Sequence, residues 1–277
     1  MGDQAFPWEP GTYLHFNDFR ERPFFDLTAR IGAATPARVV DLGCGPGNLT
    51  ATLARRWPAA HLVGLDSSTE MIAAARETHG SHGPGGPGLH FGVADIADWV
   101  PGVDPFGTAP DRTAPDVVVS NAALQWVPGH RDLMTGWLAA LHPGAWLGVQ
   151  VPGNFTAPSH VIMRELAAGA RWCKQLDGVL RHDDAVGEPA EYHELFLAAG
   201  ARVEVWETTY LHLLQGSDPV LDWVRGTGLR PVLAALGPAE GEKFEKEYAA
   251  LAAQAYPLGP HGTIFPFRRI FMVGEKQ

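Results

Sequence analysis

Short apolar blocks and polar breaks divide this chain into elements of two kinds. Val39-Val40, Leu62-Val63, Leu89 to Ala94, Val117 to Val119 and Ala145 to Val151 are apolar runs bounded by Gly, Pro or acidic residues. Such runs, lacking strict alternation, belong to strands covered on both faces. Helical stretches lie between them. Leu49 to Trp57 follows the first run, and His130 to Leu141 precedes the Pro143-Gly144 turn. Ser67-Ser68-Thr69-Glu70 has S-x-x-E spacing, which predicts a capping box and a helix through Met71 to about Thr78. Strands alternating with helices at this rhythm imply a mostly parallel α/β sheet with helices on both faces.

The later chain is less regular. Glu188 to Ala199 predicts a helix stopped by Gly200, Ala201 to Leu214 a sixth strand, and Ile264 to Val273 a seventh. Residues 152–187 and 215–260 read as substrate-side helical insertions forming a lid, with Lys243 to Ala255 the clearest helix. Near the start, Pro23-Phe24-Phe25-Asp26-Leu27 predicts a helix carrying Pro at an early position. The aromatic residues before it make 1–36 an N-terminal cap. Gly80 to Gly88 and Pro101 to Ala114 read as surface loops, and no 20–50-residue period marks a repeat. The whole, 1–277, is expected to be one domain.

The most informative stretch is Arg38-Val39-Val40-Asp41-Leu42-Gly43-Cys44-Gly45-Pro46-Gly47-Asn48. A strand turns there, through a loop too tight for side chains, into a helix N-terminus, so main-chain N–H groups can approach a ligand closely. Asp41, Asp66, Asp95 and the Ser120-Asn121 pair all fall at predicted carboxyl ends of strands, where open α/β sheets bind ligands. Three converging acids would repel a phosphate. They suit a ligand with an ammonium, a ribose and an exocyclic amine. A dinucleotide loop reads G-x-G-x-x-G; here Gly47 comes one position early, and Pro46 removes an N–H.

Asp41-Leu42-Gly43-Cys44-Gly45-Pro46-Gly47 resembles the first motif of class I S-adenosylmethionine-dependent methyltransferases, a resemblance spanning about residues 37–151. It implies a Rossmann-like seven-stranded sheet and S-adenosylmethionine as cofactor, with S-adenosylhomocysteine as product. Gly43, Gly45 and Gly47 would pack against its methionine portion. Asp66, with Ser67 beside it, would bond the ribose hydroxyls, and Asp95 the adenine amine. Met71 and Ile96 match apolar residues that cover the adenine, although a helical Met is equally at home in a core. Asp41 would contact the ligand or orient the loop, and Asn121 would complete the seat.

Four further segments resemble the trans-aconitate 2-methyltransferases within that class. They are Ser120-Asn121-Ala122-Ala123-Leu124-Gln125-Trp126-Val127, Gln150-Val151-Pro152-Gly153-Asn154-Phe155, Thr227-Gly228-Leu229-Arg230-Pro231 and Phe265-Pro266-Phe267-Arg268-Arg269. That family esterifies one carboxylate of a small unsaturated tricarboxylate. A carboxylate is ionised at pH 7, so its attack on a sulfonium methyl needs alignment and dehydration but no general base. Gln125 and Trp126 would position it. No metal cluster is required.

Composition limits the partners. The net charge of −10 argues against nucleic acid, whose affinity rests on Lys and Arg, and obliges an anionic substrate to find a local positive pocket. Arg forks hold carboxylates bidentately. Arg22, Arg230 and one of Arg268 and Arg269, which alternate across a strand, are the candidate cations; Arg268 is taken first. Tyr13, Asn154, His160 and Tyr210 are candidate hydrogen-bonding partners. Two cysteines, no apolar run of membrane length and no leader-like start fit a cytoplasmic protein. Two alternatives remain: a methyltransferase acting on another small molecule, either a different acid or a hydroxyl with His160 as base, and an NAD-binding oxidoreductase.

Overall fold

The computed structural model of the chain describes residues 17–80, 88–103, 114–181 and 183–277. Tyr13, most of the Gly/Pro tract after Gly80 and most of the loop around Pro105 lie outside them. The helices are α1 (Asn17–Thr28), α2 (Thr50–Arg56), α3 (Thr69–His79), α4 (His130–Ala140), α5 (Pro158–Ala168), α6 (Cys173–Leu176), α7 (Pro189–Ala198), α8 (Pro219–Arg225) and α9 (Arg230–Ala255). The strands are β1 (Arg38–Leu42), β2 (His61–Asp66), β3 (Gly88–Val93), β4 (Val117–Asn121), β5 (Trp146–Pro152), β6 (Ala201–Leu214), β7 (Leu258–Gly259) and β8 (Gly262–Lys276).

The sheet order is β3-β2-β1-β4-β5-β8-β6, with the short β7 paired to β8 outside this path. Pairings from β3 to β5 are parallel, and β8 runs antiparallel between β5 and β6. The order reverses between β1 and β4, which opens the crevice where open sheets take ligands. The apolar runs become strands because helices cover both faces. On one face Val118, Leu147, Val149, Val151, Ile270 and Met272 pack with α4 and α7 residues such as Trp137 and Phe196. On the other Val117, Val119, Phe271 and Val273 meet Phe24 and Leu27 of α1 and Leu53 of α2.

A third cluster belongs to the insertions. Met163, Trp172, Trp223, Phe244 and Tyr248 close on Leu214, Phe265 and Phe267 of the long β6–β8 hairpin. The helices there have their own core on the projecting end of the hairpin, which explains why β6 and β8 run to 14 and 15 residues. β8 thus extends beyond the expected Ile264–Val273 at both ends. Among the described residues no helix is long and apolar enough to cross a membrane.

Two helix starts differ from expectation. Pro23 lies in the middle of α1, not near its beginning. Phe24, Leu27 and Ile31 are buried against the sheet, and that packing outweighs the one hydrogen bond a proline cannot donate. Helix α3 is capped by Ser68, whose Oγ accepts from Met71 N at 3.2 Å; the S-x-x-E box beginning at Ser67 does not form.

Gly274 shows how closely α7 lies on β8. A Cβ there would stand 2.5 Å from Phe196 Cδ1 and 3.3 Å from Ala201 Cβ, and Phe196 is fully buried. Overpacking of this kind costs about 1–3 kcal/mol. Urea unfolding of Gly274→Ala should show that loss, while activity per folded molecule stays unchanged because the site lies elsewhere.

Candidate functional site

At the end of β1 the backbone turns left-handed at Gly43, Gly45 and Gly47, with φ of 79°, 55° and 80°. At Gly43 a Cβ would come within 2.3 Å of Ala123 Cβ, so the loop closes on the segment following β4. At Gly45 a Cβ would meet nothing within 4 Å, so this turn of the loop faces open space. Gly43 N and Cys44 N donate to Leu65 O. Asp66 adds a second tie: Oδ2 accepts from Gly45 N and Oδ1 from Ser68 N, each at 2.9 Å. One carboxylate therefore joins the glycine loop to the start of α3 and retains lone pairs for a ligand.

Asp41 is 3% exposed, and Thr50 Oγ1 donates to its Oδ2 at 2.6 Å. Burial pushes its pKa up to about 7; the Thr50 hydrogen bond opposes the rise and the Asp66 charge adds to it. Asp66 is also raised by burial, against the two N–H groups that hold it. Asp95 is exposed and accepts from Ala97 N at 2.8 Å, capping the single turn Ile96–Asp98. Met71 and Ile96 are buried and Ser67 is exposed. A nest of acids made costly by burial favours a cation, which fits the sulfonium and ammonium of S-adenosylmethionine.

Beyond β4, Ala122 is the one described non-glycine residue with positive φ, at 55°. Such a conformation costs about 1–3 kcal/mol and persists where surroundings enforce it. Ala122 N donates to Gln150 O at 2.9 Å, and Gln125 Nε2 donates to Ala122 O at 2.6 Å. The turn leaves two buried acceptors, Asn121 Oδ1 and Gln125 Oε1, without protein partners. Trp126 is half-buried, and Arg181 from the first insertion donates to the carbonyls of both Gln125 and Trp126. Its guanidinium also lies 5.4 Å from the Trp126 ring centre. Arg181, unremarked in the sequence, thus ties the insertion to this loop; no motif surrounds it.

The other expected substrate residues divide. Asn154 and Arg268 serve the scaffold. Asn154 Nδ2 donates to Arg268 O and its Oδ1 accepts from Arg268 N, at 2.9 and 2.8 Å, so an amide side chain continues the β5–β8 pairing past Pro152. The Arg268 side chain reaches Glu188 and Glu207, each at 2.6 Å. It lies on the α7 face of the sheet, the face opposite that of Arg269. Arg269, 5% exposed, turns to the α1 face with Nη1 3.4 Å from Gln150 Oε1.

Arg22 and Tyr210 come together: the guanidinium lies 5.1 Å from the Tyr210 ring centre, and Tyr210 Oη donates to Asp26 Oδ2 at 2.6 Å. His160, on α5, has its ring 5.4 Å from Phe155 and its Nδ1 3.3 Å from Ser159 Oγ. Desolvation, with the Arg164 charge, pushes its pKa down to about 4. It adjoins Gly228, two positions before Arg230, which is half-buried at the head of α9.

The raised pKa of Asp41 has a consequence for stability. The folded state keeps this proton up to about pH 7, whereas an unfolded Asp releases it near 3.9. The ligand-free protein therefore loses stability through this group as pH rises across that window, and no more above it. Asp41→Asn removes the loss. Its advantage over the parent should be absent near pH 4 and grow to about 2–4 kcal/mol by pH 8, read from thermal unfolding across pH.

A family profile described as a methyltransferase domain matches residues 39–144. A trans-aconitate 2-methyltransferase of Streptomyces avermitilis is 53% identical over 272 residues, covering 98% of this chain and 97% of that protein. One of Rhodococcus jostii is 52% identical, covering 98% and 100%. Among solved structures, the YcgJ protein of Bacillus subtilis shares the fold with a TM-score of 0.56 at 15% identity, over 92% of this chain and 98% of that one. A Haemonchus contortus phosphoethanolamine N-methyltransferase 2, solved with S-adenosyl-L-methionine, gives 0.52 at 16% identity, over 92% and 53%. Sharing half its residues with such relatives along nearly its whole length, the chain belongs to the trans-aconitate 2-methyltransferase family.

Proposed function

We propose that this protein esterifies one carboxylate of trans-aconitate with the methyl group of S-adenosylmethionine, releasing the monomethyl ester and S-adenosylhomocysteine. The observation that carries this reading is kinship over the full length, including both insertions, with enzymes named for that reaction. The site agrees with it chemically. Partnerless acceptors at Asn121 and Gln125 lie beside the acidic nest, and the basic side chains Arg22 and Arg269 lie toward β6 and β8.

In this reading the open side of Gly45 receives the methionine portion of the cofactor, between Gly43 and Gly47. Asp66 takes the ribose with its remaining lone pairs. Asp95 takes the adenine amine, with Ser67 at the rim and Met71 and Ile96 against the ring. Asp41 and Asn121 face the cationic end. Gln125 and Trp126 position the acceptor, Arg22 and Tyr210 flank it, and His160 and Arg230 approach from the insertions, which cover the substrate side.

S-adenosylmethionine supplies an electrophilic methyl on a sulfonium. With it bound, a carboxylate oxygen would take that methyl, the S–C bond breaking with its electron pair left on sulfur. No proton moves, so the chain needs no base. It aligns three atoms and excludes water, and positioning alone can contribute about 7–11 kcal/mol. A hydroxyl acceptor would require a base, and no observation favours one: His160, with its pKa at about 4, is a weak one.

Mass spectrometry of products from a panel of mono-, di- and tricarboxylates tests the reading directly. Methyl ester should form fastest on trans-aconitate, and a panel with no ester product would sink the proposal. Asp66→Asn should weaken S-adenosylhomocysteine binding by about tenfold or more, as expected for losing a hydrogen bond to a charged group. It should also cost some stability, since the carboxylate holds Gly45 N and Ser68 N. Unchanged affinity by calorimetry would remove the ribose assignment. Arg181→Met should raise the KM for the acceptor and leave cofactor affinity intact, because it frees the Gln125-Trp126 loop alone.

A further inference from the structure

The α1 face of the sheet carries a row of polar side chains among apolar ones. Strand alternation places Asn121, Gln150, Arg269, Tyr210 and His212 on this face, which also bears Val119, Phe271 and Val273. Asn121 and Gln150 are register partners on β4 and β5. Arg269 is opposite Pro152 on one side and Thr208 on the other, and His212 lies farther out on β6. The row begins at the acidic cofactor nest and ends under α1, where the Phe19 ring sits 4.7 Å from that of His212.

Three of these groups are deeply buried: Gln150 is 0% exposed, His212 4% and Arg269 5%. Arg269 donates to Gln150 Oε1, which fixes the amide so that Nε2, a donor, points away from the guanidinium bond. That Nε2 has no protein partner, and neither has His212 Nε2. Burying a polar nitrogen without a hydrogen-bond partner is costly, and a ligand that accepts from both would remove that cost. Desolvation, with the charges of Arg269 and Arg22, pushes the His212 pKa down to about 4; its ring is neutral and has one N–H to give.

Polarity changes sign along the row. At β4 the partnerless atom is an acceptor, Asn121 Oδ1, which suits a cationic cofactor. On β5 the partnerless atom is a donor, Gln150 Nε2, and on β8 beyond it stands the Arg269 guanidinium; together they suit an anion. A polycarboxylate spans such a boundary, with one carboxylate at the cofactor and another held back.

We propose that Gln150, Arg269 and His212 form a buried anchor for an acceptor carboxylate that is not methylated, and so select polycarboxylates over monocarboxylates. This rests on the carboxyl-methylating function proposed above and names the residues that set its substrate class. Gln150 and His212 are specificity-determining, with no part in bond making.

The test compares trans-aconitate with a monocarboxylate, crotonate, in the parent enzyme and in Gln150→Met and His212→Phe, which keep volume and stacking but remove the donors. Each variant should raise the KM for trans-aconitate by about tenfold or more. kcat, the rate with crotonate and calorimetric affinity for S-adenosylhomocysteine should stay within about threefold. Gln150→Glu guards against misfolding, since its carboxylate pairs with Arg269. It should fold, bind S-adenosylhomocysteine normally and lose trans-aconitate binding to the S-adenosylhomocysteine complex. Variants that retain the parent's KM ratio, or that lose crotonate and cofactor equally, overturn the anchor. A parent enzyme that esterifies neither acid overturns the function instead, so the two failures are distinct.

Discussion

Two carboxylates held in a shared, largely dehydrated corner govern the architecture of this site. Asp41 and Asp66 lie at the carboxyl ends of neighbouring parallel strands; burial raises the cost of ionising both, and the Asp66 charge adds to it at Asp41. Local hydrogen bonds compensate in part: the Thr50 hydroxyl on Asp41, and the main-chain N–H groups of Gly45 and Ser68 on Asp66. The bond from Gly45 N also ties the left-handed glycine loop to the end of β2. The anchorage of the loop and the demand for a cation therefore share the Asp66 carboxylate, and a cationic ligand relieves what the protein alone does not.

The acceptor side is built on another principle. β8 is antiparallel between β5 and β6, and its alternation sends adjacent arginines to opposite faces. Arg268 meets Glu188 and Glu207 at a partly exposed surface, where ion pairs contribute little individually. Arg269 enters a buried environment beside Gln150 and over the Phe267 ring, 4.5 Å away. A charge in that position acts far more strongly on a neighbouring charge, because little water screens it. Hydrogen-bond acceptors near β4 and donors near β8 thus divide one face of the sheet, and the proposed placing of cofactor and substrate rests on that division.

The insertions are built on a separate core. Trp172, Trp223, Phe244 and Tyr248 hold that cap together on the hairpin, while Arg181 carries its position to the carbonyls of Gln125 and Trp126. Ala122, in its left-handed conformation, sits between that clamp and Gln150. Displacing either support would let the turn relax, so the loop is set from two sides.

Much of this was legible in the sequence because it depends on neighbours along the chain. The apolar runs determined six strands to within about two residues and the seventh less closely, and the displaced third glycine with acids at strand ends determined the kind of seat. Local signals failed where partners are distant. Ser68 caps α3 in place of Ser67 because the Asp66 carboxylate takes Ser68 N. Pro23 is carried inside α1 by burial against strands it meets only in space. Asn154 reads as a binding residue until Arg268, 114 positions later, claims both ends of its amide. Alternation alone showed that Arg268 and Arg269 face opposite ways, but only the register of β8 against β5, and the helices packed on each face, decided which one is buried. Gln150, His212 and Arg181 carry no motif, and their significance comes from partners on other strands and another insertion, which a linear chain does not display.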